Sequence, residues 1–219
     1  MNDIPRNKNT EHQFTAFVDY HLSFPRYLGS YKRSFDILMK DVLDSGYHVD
    51  SVAYPLLFIA RHCIELGLKT NIRYFAKYSG KDDFTVAGTH DLETLFRAFK
   101  MHVYESIVKL SEKHGIKVEK EDKKAFDELC LEVESLKDVF HALDKNSDAF
   151  RYPVDKQQNP SFKEGVKLNV LDVNELLEKS MILFFHTSDV FAKYTDYADM
   201  IDKMYEDTMR EQYEQGMQF

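Results

Sequence analysis

Four ionisable side chains lie on one side of an otherwise apolar stretch of this 219-residue chain, Arg61-His62-Cys63-Ile64-Glu65-Leu66-Gly67-Leu68-Lys69. At about 100° per residue, with Arg61 at zero, Glu65 falls at about 40°, Lys69 at about 80° and His62 at about 100°. Such a set can hold phosphate and move protons, because arginine offers a planar, permanently charged fork and histidine titrates near neutral pH. Ile59, Ala60, Cys63, Ile64, Leu66 and Leu68 fill the rest of the circumference, so the charged stripe needs partners or solvent. Further along, Phe150-Arg151-Tyr152-Pro153 puts a second arginine beside an aromatic ring, and Thr89-His90-Asp91 puts a histidine where a helix begins.

If these segments meet and the chain is a ribonuclease, as the family resemblance given below implies, the chemistry needs no metal. His62 then exchanges the proton of a ribose 2′-hydroxyl, Arg151 stabilises the phosphorane's charge, and Glu65 orients His62 or pairs with Arg151 or Arg61. Arg61, Lys69, Tyr152 and His90 bind the substrate, Tyr152 by stacking on a base or by hydrogen bonding to phosphate. A structural role competes with this one: an arginine paired with Glu65 fixes a loop onto the helices and does no chemistry. His90 reads equally as a capping or packing group.

The elements that must position these residues are helices. Only eight glycines and five prolines interrupt the chain and strict two-residue alternation is scarce, so the fold class is all-α, an antiparallel bundle of about five helices. We expect an N-terminal arm over 1–25, then one domain over 26–219. Its helices run from Tyr27 to Ser45, stopped by Gly46, and from Asp50 to Tyr78 with Pro55 in the first turns. A third follows Thr89 as N-cap and runs to about Lys113, and a fourth spans Glu121 or Asp122 to Leu143. A polar loop over 144–170, with Pro153 and Pro160, has the length of functional loops. The long last helix begins near Asp172 and passes Arg210. Its residues Leu176, Ser180, Leu183, Thr187, Val190, Tyr194, Tyr197, Ile201 and Met204 alternate spacings of four and three, a seam for packing along another helix or a second subunit.

A net charge of −8 argues against a broad basic surface for duplex DNA or anionic membrane and leaves room only for a local basic cleft. Cys63 and Cys130 have neither disulfide framework nor metal spacing, which fits a reducing, cytoplasmic setting. No signal core opens the chain, and the longest apolar run, Val52 to Ala60, is too short for a bilayer. Glycine-rich phosphate loops are missing, and Glu128 with Glu132, or His186 with Asp189, do not complete a metal set, so no cofactor is expected.

The order of the Arg61–Lys69 helix, Thr-His-Asp-Leu-Glu-Thr-Leu-Phe over 89–96 and Phe-Arg-Tyr-Pro over 150–153 resembles the HEPN superfamily across roughly 31–197. That resemblance implies a compact antiparallel bundle, often a homodimer, and a metal-independent endoribonuclease or RNA-binding effector of bacterial defence or toxin–antitoxin type. Implied partners are single-stranded RNA or tRNA, a second copy, and a protein partner such as an antitoxin. Other members are catalytically silent, so the alternative is a non-catalytic module that binds a partner protein or a nucleotide. The superfamily's signature is an arginine and a histidine with four to six residues between them. After Arg151 those places hold Lys156, Gln157 and Gln158, whereas Arg97 and His102 have the spacing but diverge by about 140° on a helix. Arg6 and His12 have it too, within the arm.

Overall fold

Residues 15, 16, 18, 22–46, 49–82, 88–144, 150–154, 157–162 and 167–216 are described in a computed structural model of the chain. Among them are six helices: α1 (Phe24–Ser45), α2 (Val49–Ser79), α3 (Leu92–His114), α4 (Lys120–Glu134), α5 (Lys137–Asp144) and α6 (Val170–Gly216). The fold is an all-α bundle with a long C-terminal helix. Arg6 and His12 lie outside the described residues.

Local chemistry sets the helix ends. The Ser23 hydroxyl accepts the Arg26 amide at 3.4 Å, and Pro25 takes a first-turn place where no amide hydrogen is needed, so α1 starts earlier than periodicity suggests. Gly46, at φ 65°, donates its amide to the Val42 carbonyl and closes the helix. At α3 the cap is Asp91, not Thr89: the Asp91 carboxylate accepts the Thr94 amide at 2.6 Å, while the Thr89 hydroxyl accepts the Asp91 amide at 3.2 Å. A carboxylate at this place also meets the positive end of the helix dipole. The single helix expected over 121–143 is two. Ser135 donates its hydroxyl to the Glu132 carbonyl and Leu136 its amide to Val133, a tightened turn that re-aims the chain between α4 and α5.

Cross-helix contacts fix the directions. Gly67 meets Phe184, Tyr74 meets Thr195, and Lys77 and Tyr78 meet Asp199, so α2 and α6 run parallel. Phe24 against Arg73 and Tyr31 against His62 set α1 antiparallel to α2. Lys100 with Glu134 and Tyr104 with Asp127 set α4 antiparallel to α3. Helix α2 lies in the middle, packed by α1, α3 and α6. By length and composition it would pass for a membrane span, with mean hydropathy 1.2 over its most apolar window, further than its longest apolar run implied. The bundle buries that apolar surface: Leu56, Ile64, Leu68 and Phe75 have no exposure. Edge-to-face rings knit the core, Phe75 to Phe191 at 5.6 Å and Phe99 to Phe126 at 5.7 Å between centroids. At Gly67 the helices approach so closely that a Cβ would stand 2.2 Å from the Phe184 ring.

Candidate functional site

The stripe on α2 becomes a buried network rather than a solvated face. Arg61, Glu65 and Lys69 are 5%, 4% and 8% exposed. One-turn spacing brings each cation onto the carboxylate: Arg61 Nη1 donates to Glu65 Oε2 at 3.0 Å and Lys69 Nζ to Oε1 at 2.9 Å. The residues before α3 add a third ligand, since His90 Nδ1 lies 2.8 Å from Glu65 Oε1. Arg61 Nη2 also donates to the His90 backbone carbonyl. His90 is thus gripped by its ring and by its backbone.

Burial alone would push the Glu65 carboxyl up, but Lys69 and His90 outweigh it and hold the group below the ordinary carboxylate range. An ionised Glu65 can only accept, so His90 Nδ1 carries the proton of this bond and Nε2 is the nitrogen left outside the pair. The His90 side chain is 72% exposed, so this nitrogen belongs to an imidazole that solvent reaches although its other nitrogen is tied to a buried acid.

His62 is half-buried. Its ring meets Tyr31 edge-on at 4.6 Å and stacks on Phe58 at 5.8 Å. Burial first, then the nearby positive charges of Arg61 and Lys69, depress its pKa despite Glu65, so the ring is neutral at pH 7. Arg151 is exposed, with its guanidinium carbon 5.8 Å from the Phe58 ring centre and 5.6 Å from that of Tyr152. Phe150 behind it is buried and packs on Phe162, which anchors the segment, and Ser161 donates its hydroxyl to the Tyr152 carbonyl at 2.6 Å.

Phe58 therefore joins the two distant segments, touching His62 on its own helix and Arg151 from the loop. His62 in turn sits in the field of Glu65 and His90. The sequence reading missed Phe58, although its place one turn before His62 was a signal. It also missed the Glu65–His90 bond, which no local pattern encodes. Arg61 and Lys69, expected to touch substrate, are enclosed and committed to Glu65. Arg97 and His102 part company: Arg97 is exposed, and His102 is fully buried with Nδ1 2.8 Å from the Ser79 hydroxyl. Cys63 and Cys130 are free and buried, and burial pushes both thiols up to about 12, which makes them poor nucleophiles. Among the described residues no cluster of three or more histidine, cysteine or carboxylate side chains is placed to hold a metal ion. Comparison of the chain with protein-family models, with curated proteins and with solved structures gives no match.

Proposed function

We propose that the protein binds single-stranded RNA on the surface shared by His90, His62, Phe58, Arg151 and Tyr152, and cleaves it there without a metal ion. The supporting observation is the exposed imidazole of His90, held through Nδ1 by a buried, ionised Glu65. A carboxylate in that position fixes the tautomer, orients the ring and stabilises the imidazolium formed when Nε2 takes a proton. His90 removes the ribose 2′-hydroxyl proton, the 2′-oxygen attacks phosphorus, the bond to the 5′-oxygen breaks, and water protonates the leaving oxygen at this open site. A 2′,3′-cyclic phosphate and a 5′-hydroxyl result. Arg151 supplies the fork for the phosphorane, and Tyr152 a face for a base. His62, neutral and wedged between Tyr31 and Phe58, steadies the ring on which Arg151 lies. Arg61 and Lys69 act through Glu65. The resemblance to HEPN proteins supports an effector role in bacterial defence or a toxin–antitoxin pair.

One observation favours the second reading, a non-catalytic module for a partner protein or nucleotide. Arg61 and Glu65 grip both the backbone and the ring of His90, a clamp between α2 and the start of α3 that would serve the fold without any chemistry. Cleavage of single-stranded RNA and tRNA in chelator separates the two. The RNase reading expects His90→Ala to lower the rate by about 100-fold or more with RNA binding retained, the size of a lost general base. Arg151→Ala is expected to weaken both binding and cleavage. Parent protein that binds but never cuts leaves the module reading, and cutting that survives His90→Ala unchanged removes the catalytic assignment.

A further inference from the structure

Where the end of α4 and the length of α5 meet the first half of α3, the three helices enclose a cavity of about 180 Å³. Its floor is apolar. Phe96, Val133 and Phe140 are buried there, and the Phe96 and Phe140 rings meet edge-on at 5.9 Å between centroids. Its rim is charged, and both ends of that rim are closed by matched side chains. At one end Lys100 lies over the Phe96 ring at 4.9 Å and donates to Glu134; at the other, His141 Nδ1 stands 3.9 Å from Glu93 Oε2.

The middle of the rim is not matched. Arg97 follows Glu93 by one turn of α3 and Lys137 precedes His141 by one turn of α5, so the two cations line the same cavity from different helices. Neither has an ion-pair partner among the described residues, although the chain carries 37 acids to 29 lysines and arginines. Two like charges at one small cavity repel, and the aromatic floor beneath them supplies no counter-charge.

We propose that this cavity binds a small aromatic carboxylate, with its ring on Phe96, Val133 and Phe140 and its charge between Arg97 and Lys137. Size decides the class: a cavity of about 150 Å³ holds one benzene, so this one takes a single ring with a small acid group. A nucleotide needs more room, nearer the roughly 300 Å³ at which sites for larger ligands begin. Charge decides the acid group. The planar fork of Arg97 matches both oxygens of a flat carboxylate, and Lys137 adds a point charge from the other wall. A ligand held in this way ties α5 to α3. The site does not use His90 or rest on RNA cleavage, and either proposal can fail alone.

Calorimetric titration of the full chain with benzoate tests it. Saturable binding is expected with a dissociation constant on the order of 1 mM, as suits a ligand of one ring and one charge. Arg97→Gln and Lys137→Gln should each weaken it by about tenfold or more, the size of a lost charged hydrogen bond, and Lys137→Glu, which gives Arg97 an anion of its own, should abolish it. Lys124→Gln, which removes an exposed cation paired with Glu128 at the far end of α4, should change it by less than about twofold. Benzyl alcohol, which lacks the charge, and acetate, which lacks the ring, should each bind at least about tenfold more weakly. Benzoate should also raise the thermal unfolding midpoint of the parent but not of Lys137→Glu, since it is held only by the folded site. No saturable binding up to about 50 mM benzoate overturns the proposal, as does binding that Arg97→Gln and Lys137→Gln leave unchanged. Acetate as tight as benzoate overturns it by making the site a bare patch of charge, and adenosine monophosphate held through Arg97 as tightly as benzoate overturns the limit on size.

Discussion

Glu65 and Asp122 each hold a lysine, and their surroundings make them different objects. Glu65, on the central helix, is 4% exposed and accepts from Arg61, Lys69 and His90. Asp122, at the start of α4, accepts from Lys193 at 2.8 Å and from the Tyr194 hydroxyl at 2.5 Å, but its own side chain is 19% exposed and that of Lys193 51%. Both acids are held below their ordinary pKa. The bond inventories look alike. What differs is the cost of leaving a partner unmatched, which is large where water cannot replace the lost bond and small where it can.

The largest expected effect tests the buried side of that contrast. Glu65→Gln strands two enclosed cations and should cost about 3–5 kcal/mol in urea unfolding, the range for breaking a buried pair. A loss below about 1 kcal/mol would place Glu65 with the surface pairs. The pH dependence has a definite sign. The folded-state pKa of Glu65 is lowered, so its contribution is complete above the unfolded value of about 4.3 and is lost as pH falls through the lower folded value. The stability gap between parent and Glu65→Gln should therefore close on acidification through that window and stay constant above it.

Next in size is Gly67→Ala, midway between Glu65 and Lys69 in the sequence. The added methyl would stand 2.2 Å from the buried Phe184 ring, so α2 and α6 must separate or the ring must turn into Phe99. Overpacking of this kind, reduced by alanine's better helix propensity, leaves a net loss of about 1–2 kcal/mol by thermal or urea unfolding. An increase in stability would mean that the close approach of the two helices is not tight.

The smallest effect belongs to Asp122→Asn. Water replaces the lost charge partner, so the change should stay below about 1 kcal/mol and shrink further in high salt. A loss as large as that of Glu65→Gln would erase the distinction between the two carboxylates and show that Tyr194 and Lys193 fasten α4 to α6 as a buried unit.

The sequence by itself determined the helices and the faces they bury. The periodicity of Phe126, Cys130 and Val133, the glycines at 46 and 115 and the spacing of Arg61, Glu65 and Lys69 are all local, each set by an i to i+3 or i+4 relation within one segment. Where a local choice was close, as between Thr89 and Asp91 for the cap or at the Ser135 turn, competing side-chain hydrogen bonds of similar strength decided it, and periodicity does not rank them. Tertiary structure alone decided that the charged stripe is closed over by residues preceding α3, that His90 is the exposed member of the set, and that Phe58 carries both His62 and Arg151. It also decided that α6 runs past its support, because that depends on where α2 and α3 end relative to a helix whose contacting residues lie 122 and 88 positions further along. Such pairings depend on how helices cross and how far each extends, relations that no single stretch of the chain encodes.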